Sequence, residues 1–273
     1  MPAYKHRPPM ADDTSVWRYL SLDAVIETIK TRSLRLTRVD RFSDKFEGSV
    51  PKANMDDQDL LLNGAESRRK MMNSVAAHFP GMATTPPPDE DPWARITRLR
   101  RAWTRSAHAS CWSTGDESEA LWRLYCGDSN QKGVGVALRT TLARLAASVA
   151  AHDLYVSPII YRRYHEGLEF TDEMDSLMHK RHGFRAEQEL RLLKFDVAQY
   201  GALDPKNALV SDLPEHIYVD WVLGDVVDEI FVAPEADASY DNSVRHAIHE
   251  ADANLADRVA LSVLNDRRYP PNF

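Results

Sequence analysis

The chain has 273 residues, 43% of them hydrophobic and 27% charged, enough apolar material to bury a core as one large domain or two small ones. A formal net charge of -7 argues against a general duplex-DNA coater, which needs surplus Lys and Arg to neutralise phosphates, and leaves only a local basic surface open. Cys111 and Cys126 fit no metal-knuckle spacing, the N-terminus leads into no apolar run, and no stretch approaches the ~18 apolar residues of a bilayer span, so a soluble, cytoplasmic protein with two buried thiols is expected.

Residues 1–14 are polar and proline-containing and read as a loose arm. Val16 to Leu20 is a short aromatic strand, Ser21 caps a helix carrying Leu22, Val25, Ile26 and Ile29 at helical spacing, and Leu34 to Thr37 is the next strand. A polar loop runs from Asp40 to Gly48. Residues 52–80 read as one or two helices, and Thr84 to Pro92 is a proline-rich linker that can be neither helix nor central strand. Too few strands precede that linker for a separate sheet, so residues 49–108 are expected to form an insertion within a single domain spanning 15–273.

Trp93 to Ser106 is expected to be a basic helix with Arg95, Arg98, Arg100, Arg101 and Arg105, either a solvated face or a contact for phosphates or an acidic partner. Strands are expected at Ala109–Ser113, Lys132–Arg139, Leu154–Tyr161, Glu189–Phe195, Glu229–Val232 and Val259–Leu264. Helices are expected over 116–126 with Gly127 as stop, over 140–151, from Thr171 to about His182, and over 241–255. Helices and strands alternate without a strict βαβ rhythm, which points to an α+β fold with mixed or antiparallel sheets and flanking helices.

The most informative run is Phe184 to Leu193. In extended geometry Glu187, Glu189 and Arg191 share one face while Leu190 and Leu192 point into the core. Two carboxylates beside a guanidinium make a catalytic cluster in which the arginine holds one carboxylate ionised; an edge strand with alternating charges reads the same way. Ser113 ends a strand that turns toward a helix, and Trp122 and Tyr125 are spaced to share a helix face, as core or as a ligand platform. Gly133 and Gly135 lack the third glycine of a phosphate loop and suit close strand packing better. Asp40, Asp44 and Glu47 do not match the calcium-loop pattern, and His246 and His249 lack a third ligand, so no metal is assigned.

Taken together, the pieces resemble a widespread bacterial family known as domain of unknown function 2971. Its members open on an aromatic-basic-Tyr strand, here Trp17-Arg18-Tyr19, and continue to an Asn-Asp-Pro-Phe-Glu loop, here Ser43-Asp44-Lys45-Phe46-Glu47. A Cys-Phe-Ser strand, a Met-Trp-x-x-Tyr helix and a Lys-Gly strand follow, matched by Cys111-Trp112-Ser113, Leu121-Trp122-Arg123-Leu124-Tyr125 and Lys132-Gly133. The last block, Lys-x-x-x-Trp-x-x-Glu-x-Glu-Tyr-Arg, is supplied by Lys180, Phe184, Glu187, Glu189, Leu190 and Arg191.

The order of elements also looks like that of ADP-ribosyltransferases, which implies a split sheet and NAD as substrate. On that resemblance Glu189 is the catalytic carboxylate and Glu187 its acceptor-side partner. Arg18 contacts the NAD phosphates, Ser113 orients the nicotinamide ribose, and Tyr19, Trp122, Tyr125 and Arg191 complete the cofactor site. The acceptor is a nucleic acid or a protein, in the manner of a toxin or phage-defence effector. A non-catalytic module that senses a nucleotide or partner is the second expectation, and a metal-dependent nuclease using Asp44, Glu47, Glu187 and Glu189 the third.

Overall fold

A computed structural model describes residues 10–49, 100–126, 134–163, 165, 173–196 and 213–265. The expected helices at 52–80, the linker at 84–92, Gly127 and Lys132-Gly133 lie outside these residues. Residues 100–106 are helical, as expected for the end of the arginine-rich segment.

The chain is a mixed α+β structure. β1 (Ser15–Leu20) leads through α1 (Leu22–Thr31) to β2 (Ser33–Arg38). Ser21 accepts from the Ala24 N–H as N-cap, and Arg32 closes the helix in the left-handed region at φ 51°. β3 (Ala107–Ser113) is followed by α2 (Glu119–Tyr125), capped by Ser118, and then by β4 (Val136–Thr141) and α3 (Leu142–Ser148), capped by Thr141. β5 (Tyr155–Pro158), β6 (Ile160–Arg162), β7 (His179–Arg181) and β8 (Glu189–Phe195) come next. The last elements are β9 (His216–Asp220), α4 (Leu223–Val226), β10 (Glu229–Val232), α5 (Ala238–Ala251) and β11 (Val259–Leu261).

Nine strands form one sheet along the path β11-β10-β4-β1-β3-β2-β9, with β8 added to β3 and β5 to β8; β6 and β7 make a separate parallel pair. All pairings in the large sheet are antiparallel except β10 with β11. β8 covers the whole of one edge of β3, from Ala107↔Phe195 to Ser113↔Glu189. The other edge is shared: β1 takes the Ser113 end through Trp17↔Ser113, and β2 takes the opposite end through Thr37↔Ala109 and Arg38↔His108. The two strands part between these points.

One face of the sheet buries Val16, Leu34, Leu36, Trp112, Leu138, Leu190, Leu192 and Ile230 beneath α1, α3, α4 and α5, which contribute Val25, Leu145, Val226, Val244 and Ile248. The opposite face packs Trp17, Tyr19 and Phe231 under Leu121 and Trp122 of α2. A third cluster joins Ala107, Ala109 and Leu193 to Leu177 and Met178. Gly135 stands at φ +108°, where a Cβ would lie 2.3 Å from that of Cys126, so close packing rather than phosphate binding explains this glycine.

Several expectations change. The helix expected from Thr171 to His182 is a 3-10 turn at Glu173–Leu177 followed by β7, because Ile160↔His179 pairing claims the segment. The strand expected over 154–161 is split at Ile159, whose flanks pair with different partners, β8 and β7. Of the arm expected over 1–14, residues 1–9 lie outside the described residues and 10–14 are not loose: Met10 packs on the core, and the Asp12 and Thr14 carbonyls accept from Ala143 and Leu142 at the start of α3. Among the described residues no helix is long and apolar enough to cross a membrane.

Candidate functional site

Residues paired across antiparallel strands point to one face, so the register Trp17↔Ser113↔Glu189 places these three side chains together, and Cys111↔Arg191 lies beside them. Glu189 and Arg191 therefore share a face through strand alternation, as expected. Glu187 does not arrive that way. His182–Glu187 is a 3-10 helix, and Gln188 at φ 42° turns the chain into β8. The Gln188 carbonyl accepts from both the Thr114 N–H and hydroxyl, locking this turn to the end of β3.

Lys180 on β7 joins the two carboxylates: its Nζ lies 2.7 Å from Glu187 Oε2 and 2.7 Å from Glu189 Oε2. Arg191, with no exposed side chain, donates from Nε to Glu189 Oε1 at 2.8 Å and from Nη1 to Glu47 Oε1 at 2.7 Å, and also to the Leu177 carbonyl. The Tyr161 hydroxyl accepts from the Glu189 N–H at 2.7 Å, and the Cys111 thiol donates to the Glu189 carboxylate. One loop away, Asp44 accepts from Arg181 at 2.7 Å, and Phe46 and Phe184 lie 4.3 and 5.2 Å from that guanidinium.

Burial by itself raises a carboxyl pKa, yet Arg191 and Lys180 overcome it at Glu189 and hold its pKa down at about 2. At Glu47 burial wins over Arg191, and the pKa moves up; its Oε2 is buried without a hydrogen-bond partner. Three carboxylates, Glu47, Glu187 and Glu189, face two cations, Lys180 and Arg191, leaving one surplus negative charge when all are ionised. The side chain of Glu187 is 12% exposed and that of Glu189 3%, so Glu187 is the carboxylate nearer solvent.

Other expected site residues separate. Ser113 sits in register with Glu189, and its hydroxyl makes no hydrogen bond among the described residues. Tyr125 is half exposed at the end of α2, where burial and then the charge of Glu187 push its phenol pKa up. Tyr19 and Trp122 are core: their rings meet edge-on at 5.1 Å, Tyr19 Oη accepts from the Ser118 N–H, and Trp122 Nε1 donates to Glu117. Tyr125 thus does not share Trp122's environment despite the i, i+3 spacing. Arg18 is a correction: strand parity puts it on the face opposite Ser113 and Glu189, where its guanidinium lies 5.7 Å from the Trp112 ring.

The nuclease expectation meets a poor donor set, since Asp44, Glu47, Glu187 and Glu189 are each bound by a Lys or Arg. Lys180 and Cys111 belonged to the motifs of the resemblance without a role, Glu47 was expected only as a nuclease ligand, and Tyr161 was not foreseen; their segments lie far apart in the chain, so no local spacing joins them. No family model, curated protein or solved structure matches this chain.

Proposed function

We propose that the protein is an ADP-ribosyltransferase-like enzyme that uses NAD as substrate and modifies a nucleic acid or protein acceptor. The observation carrying this reading is the junction of β3 and β8, where Glu187-Gln188-Glu189 at the head of one strand meets Ser113 at the tail of the other. The parting of β1 and β2 on the far edge of β3 agrees with the split sheet that the sequence resemblance implies.

Departure of nicotinamide leaves a cationic, oxocarbenium-like sugar, which a fixed negative charge stabilises. Glu189 is balanced by both Arg191 and Lys180 and is almost wholly buried, whereas Glu187 shares Lys180 alone. The division of roles taken from the resemblance is therefore reversed: Glu187 faces the substrate, and Glu189 positions Lys180 and the turn at Gln188. Ser113 supplies a free hydroxyl for a ribose, and Tyr125 an exposed ring at the rim.

Nicotinamide release from NAD, measured with candidate acceptors, tests this. Glu187→Gln is expected to lower the rate by about 10²–10³. Absence of release with every acceptor, or an unchanged rate in Glu187→Gln, sinks the proposal. The engagement of all three carboxylates by cations favours a second reading, a nucleotide sensor without turnover, marked by NAD-dependent thermal stabilisation and no product.

A further inference from the structure

Where β1 and β2 part, Arg18 and Arg35 line one cleft together with Glu27, Thr28 and Thr31 of α1 and Tyr218 of β9. Among the described residues neither arginine has a hydrogen-bond or ion-pair partner, in contrast to the buried Arg38 and Arg191 of the same sheet. Burial pulls the Arg18 pKa down to about 10, and the nearby positive charge of Arg35 pushes in the same direction. Two like charges held unpaired in a partly dehydrated cleft cost free energy that no described residue returns.

The neighbouring groups do not relieve them. Thr28 and Thr31 give their hydroxyl protons to the Ala24 and Glu27 carbonyls, and Ser33 bonds to Thr31. Among the described residues Glu27 is the single carboxylate lining the cleft, and it binds neither guanidinium. Arg18 presents donors from one strand and Arg35 from the other, which suits a tetrahedral oxyanion held between two forks.

We propose that the cleft between β1, α1 and β2 binds the phosphate group of a small ligand. Arg18 and Arg35 are the ligands, Glu27 sets an upper limit on affinity by repulsion, and the half-exposed Tyr218 ring closes the rim. Arg18 leaves the sheet on the α1 side, whereas the register Thr37↔Ala109 puts Arg35, and Tyr218 paired with it, on the face of Cys111 and Glu189, so the two guanidinium groups reach the cleft from opposite faces of the sheet.

Calorimetric titration of the full chain with inorganic phosphate and with pyrophosphate, at constant ionic strength set by chloride, tests the site. Saturable binding is expected in the wild type. Arg35→Gln should weaken it at least about tenfold, the effect of a lost charge-assisted hydrogen bond. Glu27→Gln should tighten it severalfold, which a merely structural role of these residues would not produce. Glu187→Gln should leave it unchanged. No saturable binding in the wild type, or equal affinity in Arg35→Gln and Glu27→Gln, overturns the proposal. Equal loss in Glu187→Gln and Arg35→Gln overturns the assignment of binding to the two arginines. Phosphate binding and nicotinamide release can thus fail independently.

Discussion

Arg191 on β8 and Arg18 on β1 flank the same strand, β3, and the chain treats them in opposite ways. Arg191 is enclosed with Glu47, Glu189 and a backbone carbonyl as partners, while Arg18 has an aromatic ring beneath it and a second arginine nearby. A buried cation with matched partners is a fixed structural device, and removing it strands the partners. A half-buried cation that lacks them among the described residues is, on the phosphate proposal, held for a ligand. The same substitution in both places therefore separates structure from binding.

Arg191→Met should be the most damaging change, costing about 3–5 kcal/mol in urea unfolding, because it leaves Glu47 and Glu189 buried and uncompensated. A loss below about 1 kcal/mol would mean that water or a rearrangement replaces the guanidinium. Lys180→Met should cost about 2 kcal/mol, since it leaves Glu187 and Glu189 facing each other without a shared cation. It should also shift the acid limb of any activity profile upward, as one of the pair retains a proton. Lys180→Arg should restore most of both; failure of rescue would assign Lys180 a role beyond charge.

The pH dependence of stability sharpens the same contrast. The Glu189 pKa is lowered on folding, so its contribution is complete above the ordinary value of 4.5 and disappears as pH falls toward about 2. Glu47 has the opposite sign: its pKa is raised, and it contributes below the unfolded value and loses that contribution as pH rises through its folded one. Glu189→Gln should flatten the fall in stability between about pH 5 and 2. An unchanged slope would show that the Arg191–Glu189 pair is not the main acid-sensitive contact.

Patterns confined to one segment were legible in the sequence. β1, α1 and β2 follow from Trp17 to Thr37 with Ser21 as cap, and the alternation in Glu189–Phe195 placed Leu190 and Leu192 in the core. Elements whose identity depends on a distant partner were not. His179–Arg181 becomes a strand because β6 pairs with it, and His216–Asp220, half polar, becomes one because β2 offers an edge. The Glu187–Glu189 pair was found for an incomplete reason, since a left-handed Gln188, not alternation, brings Glu187 in. Arg18 was misplaced because its face depends on the register Trp17↔Ser113, which no local spacing encodes.

Arg18→Met carries the smallest expected effect and the sharpest sign. In chloride buffer the variant loses a cation–π contact, worth about 0.5–1 kcal/mol at most at this exposure, and is relieved of an unpaired buried charge. The second quantity is larger, because burial already pulls the Arg18 pKa down to about 10, so Arg18→Met should be more stable than the wild type by roughly 1 kcal/mol. Phosphate at about ten times its dissociation constant stabilises the wild type by about 1.4 kcal/mol through mass action, and the variant by much less. The order of the two melting curves should then reverse between chloride and phosphate. A variant that melts below the wild type in both buffers by the same margin would make Arg18 a packing residue, and its likeness to Arg191 would be closer than its missing partners indicate.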